Sequence, residues 1–432
     1  MRTRLLIFVV SLALFGPQIA RARERVDSPT SSTTPKSDWE RIPVAVPEPS
    51  AMALRYYWTG NWLWAFDQVW ELAIPVFVLF TGVAARIRDL AVRIGRKSFF
   101  AVGIFVVLYL AIVFVFELPL LYYLGFVRQH AFGLSRQTFS RWFGNELKWL
   151  LVSATGGILF AWIPLRLIEL RPKFWWLDLT LLSVPYLFFV LMITPIVIDP
   201  MFNEQRPLKD RALATKIQEL ARRAGIGCVR IFVVEKSVDS KEVNAKVTGF
   251  LGTKQIVLWD TLLDDLDEKQ VLVVVGHEMG HYVLGHLTRS IFLSTIITLL
   301  GLLWVDRAGS WMIARLRDRF LIDRLSDIAA IPLLILLIKG SMLVLGPAAN
   351  AYSRLQEREA DCFALELTQT NRSATLAFAE MQRENLINPR PNWFYQIWRA
   401  THPSIGERID FCNSYHPWDE GRTMRFRGWI QP

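Results

Sequence analysis

The sequence predicts a mainly α, polytopic membrane helix bundle that carries a small α+β domain. Two observations lead to this fold class. Hydrophobic residues make up 52% of the 432-residue chain, which is more than their usual share in a soluble domain. Six segments of the chain are apolar over the length that a bilayer crossing requires, which is roughly 17 to 25 residues.

The last two predicted spans separate two hydrophilic blocks, 200–276 and 350–432. A transmembrane hairpin must therefore bring these blocks together if they form one site. Apolar residues at helical spacing and two short β-branched runs predict an α+β element in the first block. The predicted spans lie near residues 68–86, 99–125, 149–167, 174–198, 287–305 and 328–347.

The N-terminus resembles a secretory signal peptide, with an apolar stretch from Leu5 to Phe15 and a small-x-small cleavage pattern ending at Ala22. An uncleaved signal anchor is the alternative, because arginines also follow the apolar stretch. The next segment begins with many Pro, Ser and Thr residues and is predicted to be extended or disordered. The predicted organisation is 1–22 signal peptide or anchor, 23–66 linker, 67–199 four-span membrane domain, 200–286 first part of the α+β domain, 287–347 transmembrane hairpin and 348–432 second part.

The charge distribution bears on nucleic-acid binding and on the orientation of the chain in the membrane. The net charge is +10, but Lys and Arg cluster beside the apolar runs, and such clustering does not indicate a nucleic-acid interface. The short loops on one side carry thirteen Lys and Arg residues, against four in the short loop on the other side. The positive-inside rule makes the thirteen-residue side cytoplasmic, so both hydrophilic blocks are expected on the non-cytoplasmic side. The three cysteines form no CxxC pair, so no disulfide framework or cysteine zinc site is indicated.

The stretch GHEMGHYVLGH, residues 276–286, contains an HExxH pattern. His277 and His281 are four residues apart, so on a helix both imidazoles face the same way and can bind one Zn²⁺, with Glu278 beside them. His286 follows His277 by nine residues. On a continuous helix that offset is a rotation of about 180°, which predicts that His286 points to the opposite face. The third ligand is therefore expected elsewhere.

The stretch NAYSRLQEREADCFALEL, residues 350–367, directly follows the sixth predicted span. Glu357 and Asp361 are four residues apart and share a helix face. Glu357 would complete a His₂Glu set with one position open for water, which is typical of catalytic zinc. Asp361 would accept the N–H of a ligating histidine and orient it. The alternative is a solvated, charged helix face.

These segments resemble the type I CAAX prenyl proteases, which are integral-membrane zinc metallopeptidases of the gluzincin class. The resemblance covers most of the chain after about residue 70. It lies, in chain order, in HAFGLSRQT, the region VVEKSVDSKEVNAKVTGFLGTKQIVLWDTLL, GHEMGHYVLGH, SRLQEREADCFA and THPSIGERI. The resemblance implies that the α+β domain is a zinc-metallopeptidase domain holding one Zn²⁺ per chain, with Glu357 as the third ligand.

The resemblance also implies roles for residues outside the zinc motif. Asn244 would bind the substrate backbone, His402 would stabilise the oxyanion, and Arg408 would pair with Asp361 or another carboxylate. Two departures limit the parallel. Lys246 stands where the family pattern leads us to expect an aromatic residue, and the eukaryotic members have seven spans and a site on the cytosolic side.

The expected function is zinc-dependent peptide-bond hydrolysis at a membrane, with Glu278 as general base. The expected partners are the lipid bilayer and an apolar, lipidated or unfolded peptide that binds along the edge of segment 249–260. The expected location is a bacterial inner membrane. C-terminal processing of prenylated peptides and quality control of membrane or envelope proteins are both compatible with the sequence. A non-hydrolytic metal transporter or receptor is a third hypothesis, motivated by Lys339 within a span.

Overall fold

The computed structural model describes residues 38–248 and 255–431, so the predicted signal segment 1–22 lies outside the described residues. The described chain divides into two compact units. The first, called the helical unit, comprises Thr59–Thr194 and Ile291–Ala349. The second, called the mixed unit, comprises residues 38–58, Pro195–Ser290 and residues 350–431.

Helices form the helical unit. Six helical stretches among the described residues are long and apolar enough to cross a membrane, so the predicted number of spans is confirmed. These stretches are Ala51–Phe80, Ser98–Ala131, Phe139–Leu170, Trp175–Phe202, His286–Phe320 and Ile328–Thr368. The α-helices in this part of the chain are α1 Ala51–Phe80, α2 Val83–Gly95, α3 Ser98–Tyr122, α4 Arg128–Ala131, α5 Phe139–Phe160, α6 Trp162–Leu170, α7 Trp175–Ile193 and α8 Asp199–Phe202.

The first helix begins earlier than the sequence suggested. The prediction that 23–66 is a linker is wrong for residues 51–66, which belong to α1. Ser50 caps this helix, because its hydroxyl oxygen accepts the N–H of Ala53 at 3.1 Å. The early turns are rich in Trp and Tyr, which favour membrane–water interfaces over the bilayer centre. A search for apolar runs does not detect this part of the helix, because its residues are more polar than those of the later turns.

The interior of the helical unit is a continuous apolar cluster with a few paired polar groups. Val78, Phe105 and Leu333 have no exposed surface. Lys339 Nζ lies 3.3 Å from Glu71 Oε2, and both side chains are largely buried. A charge inside a membrane protein is normally paired in this way. The ion pair therefore accounts for Lys339 without a transport pathway.

The mixed unit contains a four-stranded sheet whose order is β1-β2-β4-β3. The β2–β4 pair is parallel and the other two pairs are antiparallel. β4 therefore lies between two neighbours, and the expectation that its segment offers a free edge to substrate is wrong. The edge strand on that side of the described sheet is β3. The strands are β1 Gln205–Pro207, β2 Arg230–Val234, β3 Ala245–Thr248 and β4 Gln255–Trp259.

Helices cover this sheet and bury its apolar face. Ile217, Ile256, Met279 and Phe363 are among the residues of this core, each at most 1% exposed. The remaining helices are α9 Arg211–Arg223, α10 Asp260–Asp265, α11 Glu268–Val283, α12 His286–Phe320, α13 Ile331–Thr368, α14 Asn371–Glu384, α15 Trp393–Trp398 and α16 Ile405–Ser414. α12 carries the chain out of the mixed unit and α13 returns it.

Within the mixed unit, residues 38–50 pack against α11, α14 and α16. Glu40 is buried, and its carboxylate accepts hydrogen bonds from Ser373 Oγ at 3.0 Å and Lys269 Nζ at 2.9 Å. Val44 exchanges two backbone hydrogen bonds with the side chain of Asn413. This part of the predicted linker begins with the 3₁₀ helix Asp38–Arg41 and is held in place by these hydrogen bonds.

Candidate metal centre

Two helices supply the predicted metal ligands. A capping box at Asp267 and Gln270 starts α11, and the regular helix that follows places His277 and His281 on one face. Their Nε2 atoms are 3.1 Å apart. Glu357 on α13 completes the group, with Oε2 at 3.2 Å from His277 Nε2 and Oε1 at 3.3 Å from His281 Nε2. These three residues form a group that could hold a metal ion.

The spacing and chemistry of these donors fit a tetrahedral metal. Bonds of about 2.0–2.2 Å to zinc separate adjacent ligand atoms by about 3.3–3.6 Å. The observed separations of 3.1, 3.2 and 3.3 Å lie at or just below that range. Glu357 Oε2 is buried and accepts no hydrogen bond within the described chain. A cation would satisfy a buried carboxylate whose two oxygens each face one imidazole nitrogen.

A carboxylate and a guanidinium hold His277 from behind. His277 Nδ1 lies 2.8 Å from Asp361 Oδ1. Arg408 on α16 binds the same carboxylate through two hydrogen bonds, of 2.9 Å and 2.5 Å, and its guanidinium stacks 4.0 Å above the ring of Phe378. The Nδ1–H of His277 therefore donates to a fixed carboxylate, which leaves Nε2 free to bind a metal.

The same contacts shift the pKa of His277. Burial lowers this pKa, but the adjacent carboxylates of Asp361 and Glu357 outweigh burial and raise it to about 10. Without a metal, the imidazole is therefore protonated at neutral pH. Metal binding requires the neutral ring, so binding would release that proton.

Glu278 lies between the ligand pair and the edge strand. Its carboxylate accepts a hydrogen bond from the backbone N–H of Val247 in β3. Burial raises the pKa of Glu278, and the charges of His281 and His277 oppose this shift only in part. A raised pKa brings a carboxylate closer to the range in which it can exchange protons with water at neutral pH.

A cavity of about 330 Å³ opens beside Glu278 and His277. Asn244, at the entrance to β3, lines this cavity together with His402 and Arg408. The backbone carbonyl of Asn244 accepts the N–H of Trp259 at 3.2 Å, so pairing with the sheet fixes the position of this residue. Most of the remaining lining is apolar.

The loop after α15 brings His402 to the metal group. His402 Nε2 is 3.4 Å from Glu357 Oε1, and the side chain is about half exposed. Arg354, one turn before Glu357 on α13, donates hydrogen bonds of 2.7 Å to the carbonyls of Gln396 and Ala400. The sequence did not predict this role for Arg354, because its partners are backbone carbonyl groups, which no sequence pattern identifies.

His286 is placed differently from the sequence expectation. α11 ends at Val283, Gly285 adopts a left-handed φ of 64°, and His286 starts α12. The prediction that His286 points away from the zinc motif is wrong, because it assumed one continuous helix. His286 Nδ1 instead lies 2.9 Å from His281 Nδ1. The left-handed glycine was the available signal, since Gly at such a position commonly ends a helix.

A metallopeptidase built into membrane helices is the class of protein that this fold and this group of side chains define. Family comparisons agree. The family model described as peptidase family M48 matches residues 207–415. The model described as the CAAX prenyl protease N-terminal region with five membrane helices matches residues 50–204.

The chain belongs to peptidase family M48. The "Uncharacterized metalloprotease YhfN" of Bacillus subtilis is 33% identical to it, over 84% of this chain and 85% of the relative. CAAX prenyl protease 1 of Saccharomyces cerevisiae is 27% identical, over 68% of each chain. The crystal structure of S. mikatae Ste24p shares the fold, with a TM-score of 0.70 and 23% identity over 83% of this chain and 87% of that chain. The predicted resemblance to the type I CAAX prenyl proteases and the predicted metallopeptidase activity are confirmed.

Proposed function

We propose that this metallopeptidase uses one zinc ion bound by His277, His281 and Glu357. The observation that carries the proposal is the set of donor separations, 3.1 to 3.3 Å, between two imidazole nitrogens and a buried carboxylate. Two histidines and one glutamate are a zinc set that leaves a position for water. Bound zinc would supply a water of lowered pKa and polarise the scissile carbonyl.

The chain's own residues would carry the proton and hold the substrate. Glu278 would accept a proton from the attacking water and deliver it to the leaving nitrogen. The substrate would bind as an extended strand beside β3, with Asn244 contacting its backbone. His402, half exposed at the same cavity, would donate a hydrogen bond to the developing oxyanion. Asp361 and Arg408 would act through the orientation of His277.

The proposed substrate is a peptide with an apolar or prenylated C-terminal region. The cavity beside Glu278 supports this, because Val273, Ala377, Phe378 and Met381 line it with apolar groups. The Saccharomyces cerevisiae relative is named for cleavage of prenylated proteins. A farnesylated peptide and its unmodified form, tested with the purified chain in detergent or lipid, separate the possibilities. Faster cleavage of the farnesylated form supports processing of prenylated peptides, and equal or slower cleavage favours quality control of unfolded membrane proteins.

We further propose that the catalytic site lies on the non-cytoplasmic side of a bacterial inner membrane. The support is the excess of Lys and Arg in the short loops of the opposite side. Of the two substrate classes proposed above, that placement favours apolar peptides of the envelope, because prenylated cytosolic proteins would not reach it. Reporters fused after residue 432 test the location. Activity of a reporter that works only outside the cytoplasm supports the placement, and activity of a cytoplasm-specific reporter would refute it.

A further inference from the structure

We propose that His286 and Glu359 position the metal ligand His281 through a two-step hydrogen-bond relay. The inference rests on the proposed function, in which His281 is a zinc ligand. It concerns how that ligand is oriented and how tightly the metal is held. His277 donates directly to the carboxylate of Asp361. His281 instead contacts the imidazole of His286, which in turn contacts the carboxylate of Glu359.

The relay depends on the break between α11 and α12. The left-handed backbone of Gly285 interrupts the helix just before His286, and the imidazole of His286 lies beside that of His281. His286 has no exposed surface. Its Nδ1 lies 2.9 Å from His281 Nδ1, and its Nε2 lies 3.2 Å from Glu359 Oε2. Both ring nitrogens therefore face a polar partner.

The positions of the partners fix which nitrogen carries each proton. His281 Nε2 faces Glu357 and His277, so in the metal-bound state the proton of this neutral ring is on Nδ1. That N–H donates to His286 Nδ1, which must then be the acceptor. The proton of His286 is therefore on Nε2 and donates to Glu359. One tautomer of each ring satisfies both hydrogen bonds, with every donor facing an acceptor.

The far end of the relay is held in place. Arg289 Nη1 donates to Glu359 Oε2 at 2.6 Å and Arg425 Nη2 donates to Oε1 at 2.9 Å. These two cations keep Glu359 an acceptor. The backbone of His286 is fixed as well, because Gln356 Nε2 donates to its carbonyl at 2.9 Å. Neither the imidazole nor the carboxylate can rotate away without losing hydrogen bonds.

Three substitutions at His286 separate the relay from simple packing. In His286→Asn, the side-chain oxygen occupies the place of Nδ1 and still accepts from His281. In His286→Gln, the terminal amide replaces Nε2, so the bond to Glu359 remains but the acceptor for His281 is lost. His286→Phe preserves the volume of the ring and loses both bonds. His416→Asn, at a half-exposed surface position, is the matched control.

The experiment measures the zinc dissociation constant of the purified full-length chain by competition with a chromophoric chelator. Loss of a partner behind a metal ligand typically weakens binding ten- to hundredfold. We expect His286→Phe and His286→Gln to weaken zinc binding by about that factor. We expect His286→Asn to stay within about threefold of the native chain. Wild-type affinity in all three variants, or stronger binding by Gln than by Asn, would overturn the relay.

Three further variants resolve the remaining outcomes. If the His286 variants do not fold, Glu359→Gln keeps an acceptor for His286 and Glu359→Met removes it. Only the methionine variant should then weaken zinc binding, and equal affinities would contradict the relay.

His277→Ala tests the ligand assignment itself. If His277→Ala binds zinc normally, the proposed zinc site is wrong; if it loses zinc while His286→Phe does not, only the relay is wrong.

Discussion

Gly280 of α11 lies directly against Ala360 of α13, so close that a β-carbon added to Gly280 would be 3.2 Å from the Ala360 Cα. The ring of Phe363 would be equally close to it. These two helices carry the three proposed ligands, with Gly280 one residue before His281 and Ala360 three residues after Glu357. The separation of the helices at this contact therefore sets the distance between the imidazoles and the carboxylate.

Gly280→Ala should weaken metal binding by forcing the two helices apart. Separations of 3.2–3.3 Å to backbone atoms and a buried ring leave little room for a methyl group, and overpacking of this kind typically costs about 1–3 kcal/mol. We expect zinc affinity and the unfolding temperature both to fall. Gly276→Ala is the matched control one turn earlier, because its added β-carbon would meet its nearest neighbours at 3.5–3.7 Å. Similar effects of the two substitutions would contradict this account of the helix contact.

Asp361→Asn should weaken zinc binding about tenfold and also destabilise the fold. The amide is a poorer acceptor for His277, and it leaves the buried guanidinium of Arg408 without its counter-charge. Breaking a buried ion pair typically costs about 3–5 kcal/mol. The double substitution Asp361→Asn with Arg408→Met removes the unpaired charge, so it should recover thermal stability and not zinc affinity. Recovery of both would show that the carboxylate acts only through stability.

Arg354→Ala should reduce turnover without releasing the metal. Its guanidinium fixes two carbonyls of the segment that leads to His402, and misplacement of a catalytic group by about 1 Å can cost up to about a hundredfold in rate. Measuring kcat, KM and zinc content together distinguishes this effect from unfolding. Arg358→Ala is the control, because Arg358 is 60% exposed and lies 3.7 Å from Glu407. Equal rates in the Arg354 and Arg358 variants would remove the proposed role.

Much of the fold and of the candidate site could be predicted from local pattern. Six apolar stretches gave the number of spans, and two short motifs gave His277, His281 and Glu357. These features depend on residue type and helical spacing, which a single sequence displays directly. The first span was placed too late, because α1 begins with aromatic and polar residues that a search for apolar runs does not detect.

Other features depend on contacts between distant residues. The central position of β4 is set by pairing with both β2 and β3, which the apolar pattern of one strand does not specify. The predicted direction of the His286 side chain was wrong, because the left-handed backbone conformation of Gly285 interrupts the helix. The role of Arg354 depends on carbonyl groups of α15 and of the loop after it, more than forty residues away.

The most direct test of the central claim is Glu278→Gln in the purified full-length chain, with zinc content and peptide cleavage measured on the same preparation. The amide preserves the size of the side chain and removes the proton acceptor. We expect about one zinc per chain in both proteins and a fall in kcat/KM of about a hundredfold to ten-thousandfold in the variant. Cleavage at the native rate, with zinc still bound, would contradict the assignment of Glu278 as the general base.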